Sequence, residues 1–182
     1  MKAGRHLFLD LEDTLITPLQ ADWCSFDFIN VEKVKLFMAG WRPDTVNLFS
    51  FAVHDQADVS GFNRHVRPSL ERDLGVSIKL VPTTDGDILP ACCRQMKLHP
   101  KKVDFSEMSA FWSKHQGFRL FVKDLAGKGV DGGAVVALID DAVVDERFEW
   151  KGLRVSGSII NIASIDETGT VQMNMGGKTC WS

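Results

Sequence analysis

Short apolar runs that end in acid or in a small hydroxyl residue punctuate this chain. Leu7-Phe8-Leu9 runs into Asp10, Val46-Asn47-Leu48-Phe49 into Ser50, and Val135-Val136-Ala137-Leu138-Ile139 into Asp140-Asp141. Runs this apolar, with little polar alternation, predict strands buried on both faces of a parallel sheet. The second run predicts a strand over Val46–Val53. Ile78-Lys79-Leu80-Val81, stopped by Pro82, predicts another, and Arg154–Ile162 a last one. Helical spacing separates them. Val31, Val34, Leu36, Phe37 and Met38 predict a helix after an Asn30 cap, closed by Gly40. Asp58–Leu74 reads as helix broken or restarted at Pro68 and capped by Gly75, and Phe105–Ala126 as mostly helix with a break at Gly117. Residues 15–30 read as a flap or irregular hairpin. Residues 83–104, with Pro90 and Pro100, read as loop and short turns with room for a small insertion.

Strands alternating with helices imply an α/β protein with an open sheet and right-handed crossovers. Such sheets bind ligands at the carboxyl ends of their strands, where both acidic clusters fall. The chain has 182 residues, enough for one domain with a sizeable core, taken here as 1–165 with a tail or small hairpin over 166–182. A net charge of -3 excludes a general attraction to nucleic acid or anionic membrane. No stretch approaches a membrane span or a secretory signal. Cys24, Cys92, Cys93 and Cys180 lack metal-site spacing, so reduced thiols in a cytoplasm are the expectation.

Carboxylates gathered at one sheet edge repel each other unless a cation or proton intervenes. An all-oxygen set suits Mg²⁺, which takes one or two carboxylates and a substrate phosphate and keeps several waters.

At these residues the chain resembles the haloacid dehalogenase superfamily of phosphohydrolases, whose first motif is an apolar strand followed by D-x-D-x-T. Here it stands as Phe8-Leu9-Asp10-Leu11-Glu12-Asp13-Thr14. The second motif, an apolar strand carrying Thr or Ser, is matched by Leu48-Phe49-Ser50, and the fourth, an acidic pair after a strand, by Leu138-Ile139-Asp140-Asp141. The matches run in the family's chain order. The resemblance implies a Rossmann-like three-layer sandwich with a mainly parallel sheet. It also implies a Mg²⁺-dependent phosphomonoesterase working through an aspartyl-phosphate on Asp10. The residue two positions on, Glu12, would protonate the leaving group and then activate water. Ser50 and a lysine would bind the phosphoryl oxygens. Asp10, the backbone carbonyl of Glu12, and Asp140 or Asp141 would hold the metal.

The family usually has Asp at position 12, and Glu places its carboxylate one methylene further out. The second function is therefore a catalytically impaired phosphate- or Mg²⁺-binding protein that acts through protein contacts. The lysine is Lys114, Lys102 or Lys123; Lys114, at the positive end of a helix begun at Ser113, leads. Roughly 30 residues separate the first motif from the second strand, so the site is capless or minimally capped. That suits a large substrate, such as a nucleic-acid end or phosphoprotein, or an oligomer, and leaves nucleotides open. Asp13 takes a position where an extended segment points it away from Asp10. Asp145 reads as a solvated helix face or a supporting carboxylate, and His54 as a surface residue or a substrate contact. Trp23, Phe26 and Phe28 read as flap packing or the lining of an entrance. A receiver domain is disfavoured, because its acidic pair comes early in the chain.

Overall fold

The computed structural model describes residues 1–19, 23–99, 113–129 and 131–172, with only the backbone of 131 and 132. Lys102, Pro100, Cys180, the 105–112 part of the expected long helix and residues 173–182 of the tail lie outside the described residues.

The architecture is α/β, a Rossmann-like three-layer sandwich. Strands β1 (Lys2–Leu9), β2 (Thr45–Leu48), β3 (Asp131–Asp140), β4 (Glu146–Trp150) and β5 (Val155–Asn161) form one sheet in the order β2-β1-β3-β5-β4. All neighbours are parallel except β4 and β5. Helices α1 (Val31–Trp41), α2 (Gln56–Gly61) and α3 (Arg67–Leu74) precede α4 (Leu89–Met96) and α5 (Lys114–Gly127). Among the described residues no helix is long and apolar enough to cross a membrane.

The apolar runs are continuous because each strand feeds two cores. Leu7, Leu9, Val46, Leu48, Ala137 and Ile139 pack on one face with Val34 and Phe37 of α1 and Leu70 and Leu74 of α3. Phe8, Val136, Leu138 and Ile159 pack on the other with Cys92 and Cys93 of α4 and Phe118 and Val122 of α5. Phe118 meets Phe8 and Phe49 edge-on at centroid distances of 5.2 and 5.3 Å. Each such pair adds about 0.5–1.5 kcal/mol beyond burial. Cys92 is buried there, and burial pushes its thiol up to about 12.

Several elements differ from the sequence reading. β2 stops at Leu48, because Phe49 N–H still reaches Leu9 O (2.8 Å) but the chain then turns at Phe51-Ala52. The expected strand at Ile78–Val81 shrinks to a single parallel bridge, Val46 to Ile78, with Lys79 N–H on Val46 O and Leu48 N–H on Leu80 O. Pro82 has no N–H to extend it. Gly40 does not end α1. Arg42 does, taking the left-handed conformation (φ 53°) with its N–H on Met38 O. Asn30 makes no side-chain cap and instead donates to Thr14 O (3.1 Å).

Pro90 starts rather than forbids structure. It sits in the first turn of α4, where its missing N–H costs nothing. Arg94 of α4 donates to buried Asp124 of α5 through Nε (3.0 Å) and Nη2 (2.8 Å), bonds that hold the Asp124 carboxyl well below the usual range. Pro68 does restart the helix, after a wide π-type turn at Phe62–Val66, and Gly75 caps it with φ 71°. Residues 15–19 and 23–30 form the expected irregular flap, with Ile16 bridged to Phe28.

β4 escaped the sequence reading because only Phe148 of its five residues is buried. Its partner residue in β5 is Gly157, and a Cβ there would stand 2.2 Å from Phe148 Cζ. Gly157→Ala therefore displaces a core ring, and urea melts should show a loss of about 1–3 kcal/mol.

Candidate functional site

β1 is the topological switch point of the sheet: the chain leaves it toward β2 on one side, and β3 returns on the other. Register sets what meets there. Leu9 pairs with Leu48 and with Ile139, and Asp10 N–H donates to Ile139 O at 3.0 Å. One residue past the ladder, Asp10 and Asp140 therefore end adjacent strands, with Ser50 beyond the third.

Asp10 and Asp140 are buried to 1% and 0% exposure. Lys114, the first residue of α5, reaches between them: Nζ lies 2.6 Å from Asp10 Oδ1 and 3.0 Å from Asp140 Oδ2. Apart from this ammonium, neither oxygen has a hydrogen-bond partner among the described residues. Burial raises the Asp10 carboxyl to about 6; the Lys114 charge opposes that rise and the Asp140 charge adds to it. Burial works against the Lys114 ammonium, but the two aspartates outweigh it and raise its pKa.

The remaining oxygens are tethered. Thr14 Oγ1 lies 3.3 Å from Asp10 Oδ2 and 3.2 Å from Asp141 Oδ1, and accepts the Asp141 N–H at 3.0 Å. Ala142 N–H donates to Asp140 Oδ1 at 2.8 Å. Asn161, at the end of β5, donates through Nδ2 to the carbonyls of Asp141 and Val143, each at 2.7 Å. Asp145 accepts from Asn161 N–H (2.7 Å) and from Ser164 Oγ (2.6 Å), so it braces the acidic loop rather than decorating a helix.

Ligand oxygens of Asp10, Asp140 and Asp141 all fall within 4.8 Å of one another. Three carboxylates face one ammonium, every donor is oxygen, and two oxygens are buried with no other partner. That set fits Mg²⁺ better than a softer metal. Glu12 is not in this cluster. Its side chain lines the same open cavity of about 400 Å³, but Oε1 accepts the flap N–H of Leu19 at 2.8 Å. Asp13 is exposed on the rim with φ 57°.

Ser50 lines the cavity, and its Oγ accepts Ala52 N–H at 3.3 Å. His54 also lines it. Lys123, the rival lysine within α5, is exposed and lines a different groove. Phe26 and Phe28 pack edge-on at 5.3 Å and, with Trp23, against the core on the α1 side, so they serve as flap packing.

Two residues were given no role in the sequence reading of the site. Thr14 stands in the first motif, and its position four residues after Asp10 is the only signal it gives. Phe51 gives none: its ring covers Lys114 Nζ at 5.7 Å to the centroid. Gly117 does not break α5; a Cβ there would come within 3.1 Å of Phe51 Cζ, so the missing side chain makes room for that ring.

No protein-family model, curated protein or solved structure matches this chain.

Proposed function

We propose that the protein is a Mg²⁺-dependent phosphomonoesterase of the haloacid dehalogenase type, with Asp10 as nucleophile. The observation that carries this reading is the Lys114 ammonium held between Asp10 and Asp140 at the mouth of the sheet's switch point, with Asp141 alongside. In this reading Asp10, Asp140, Asp141 and the Glu12 carbonyl hold the metal. Bound Mg²⁺ would screen the approach of one anion to another and neutralise charge developing on the phosphoryl oxygens.

The chain's own groups then divide the work. An Asp10 oxygen attacks phosphorus, forming the aspartyl-phosphate as the ester P–O bond breaks. Glu12 gives a proton to the leaving oxygen and later takes one from the water that hydrolyses the acyl phosphate. Lys114 and the Ser50 hydroxyl hold the transferring oxygens. Reduced thiols suit a cytoplasmic setting, and a phosphorylated small molecule or macromolecule is the substrate.

The test is hydrolysis of a chromogenic phosphomonoester with and without Mg²⁺. Wild-type activity should require the metal, and activity that survives Asp10→Asn overturns the nucleophile assignment.

One observation favours a second reading, an impaired phosphate- or Mg²⁺-binding protein acting through protein contacts. The Glu12 carboxylate is already engaged by Leu19 N–H. On the hydrolase reading that bond aims the longer acid, and Glu12→Asp loses it. Turnover should then fall by about 10- to 100-fold, as a displacement of roughly 1 Å does. A rate gain in Glu12→Asp, or metal binding without any wild-type hydrolysis, favours the second reading.

A further inference from the structure

Helix α5 carries His115, Arg119 and Lys123 four residues apart, a spacing that sets them in one row on the helix face. With Ser113, Gln116 and Trp150 they line an open groove of about 500 Å³ that has no acidic residue in its lining among the described residues. The row runs along the axis for about 12 Å and starts beside Lys114. His115 Nε2 accepts Val144 N–H at 2.9 Å, joining the groove to the loop that leaves Asp141 and Ala142 in the Asp10 cavity. The two cavities are thus neighbours across the first turn of α5.

The lining has a definite chemistry. Arg119 pairs with Glu146 at 2.8 Å and lies over the Phe148 ring at 5.6 Å, which fixes its guanidinium. Lys123 is exposed and makes no ion pair among the described residues. Trp150 is propped against Phe148 at a centroid distance of 4.7 Å. Arg119 and Lys123, one helical turn apart, can meet successive phosphates, and a supported indole offers a face for a base of any sequence. The length of the row suits a chain rather than a compact metabolite.

Resting on the phosphomonoesterase reading, we infer that the substrate is the phosphorylated end of a single nucleic-acid strand. The terminal phosphate enters the Asp10 cavity, and the adjoining nucleotides lie on Arg119, Lys123 and Trp150. The net charge of -3 gives the whole chain no general attraction to polyanions, so a local feature such as this row has to supply it.

Binding can be read without turnover. Fluorescent short oligothymidylates with a 5′-phosphate, a 3′-phosphate or neither are titrated onto wild type in EDTA and onto Asp10→Asn with Mg²⁺. One phosphorylated form should bind best, with affinity falling as salt rises. Lys123→Ala should reduce the slope of log affinity against log salt by about 1. Lys79→Ala, the same charge change beyond β2, should leave it alone. Trp150→Ala should weaken binding at least about fivefold, and Trp150→Phe, which keeps the core contact, should weaken it less. The inference falls if no oligonucleotide binds, if a phosphoserine peptide binds better, or if Lys79→Ala matches Lys123→Ala. Chromogenic hydrolysis with no oligonucleotide binding removes the groove and leaves the hydrolase. Oligonucleotide binding with no hydrolysis of any phosphoester removes the hydrolase and leaves the groove.

Discussion

Replacing Asp10 by asparagine is expected to abolish Mg²⁺-dependent phosphoester hydrolysis while making the metal-free protein more stable. The loss of activity follows from the proposed role of Asp10 as nucleophile, because removing a nucleophile costs about 10⁴- to 10⁶-fold in comparable covalent mechanisms. The gain in stability follows from burial. Asp10 is 1% exposed and its carboxyl is raised from 3.8 to about 6, mainly by burial, so the folded state holds its proton more tightly than the unfolded chain does. Between about pH 4 and pH 6 the folded state binds more protons, and its stability from this group falls as pH rises. Above pH 6 the ionised group costs on the order of 2–3 kcal/mol, which the neutral amide does not. Urea melts in EDTA from pH 4 to pH 8 should show that decline in wild type and a flatter profile in Asp10→Asn. Equal slopes in the two proteins would mean that Asp10 is not the strained group.

Lys114→Ala should do the reverse to stability. The ammonium is the ion partner of both Asp10 and Asp140, at 2.6 and 3.0 Å. Removing one member of a buried ion pair leaves charge uncompensated and costs about 3–5 kcal/mol. Two remedies should restore much of that loss: Mg²⁺, which supplies the missing positive charge, and acid, which protonates Asp10. Melting temperatures in EDTA, in millimolar Mg²⁺ and at pH 5 separate these effects. The larger Mg²⁺-induced rise should belong to Lys114→Ala, because wild type already has a counter-ion. Wild-type stability for Lys114→Ala in EDTA at pH 8 would show that the ammonium does not neutralise the pair. Either outcome bears on function as well, since the same group would hold the transferring phosphoryl oxygens.

The parts of the fold legible in the sequence are those where burial acts on both faces of a strand. Leu7-Phe8-Leu9 and Val136–Ile139 admit few readings, because both sides of each must be apolar to feed the two cores. The helix around Pro68 was legible for a local reason, since proline restarts a helix and Gly75 ends one. Where packing or one hydrogen bond decides, the pattern misleads. Gly40 looks like a cap, yet Arg42 takes that role. Pro90 looks like loop, yet it opens α4. Gly117 looks like a break, yet it clears space for Phe51. β4 carries a single buried residue, too little for a periodic signal.

The site divides the same way. Spacing and strand order determined that Asp10, Asp140 and Asp141 would stand at strand ends, because a parallel sheet puts all its carboxyl termini on one edge. Which lysine joins them is a tertiary outcome: Lys114 and Lys123 share α5, and only the first turn of that helix reaches the switch point. The Glu12 bond to Leu19, the Phe51 roof and the Thr14 bridge between two acids are tertiary as well. Each joins residues of the strand-end loops through side-chain directions that no linear period encodes. Local sequence sets which chemical groups a strand delivers to the edge; the packing of the layers sets which of them touch.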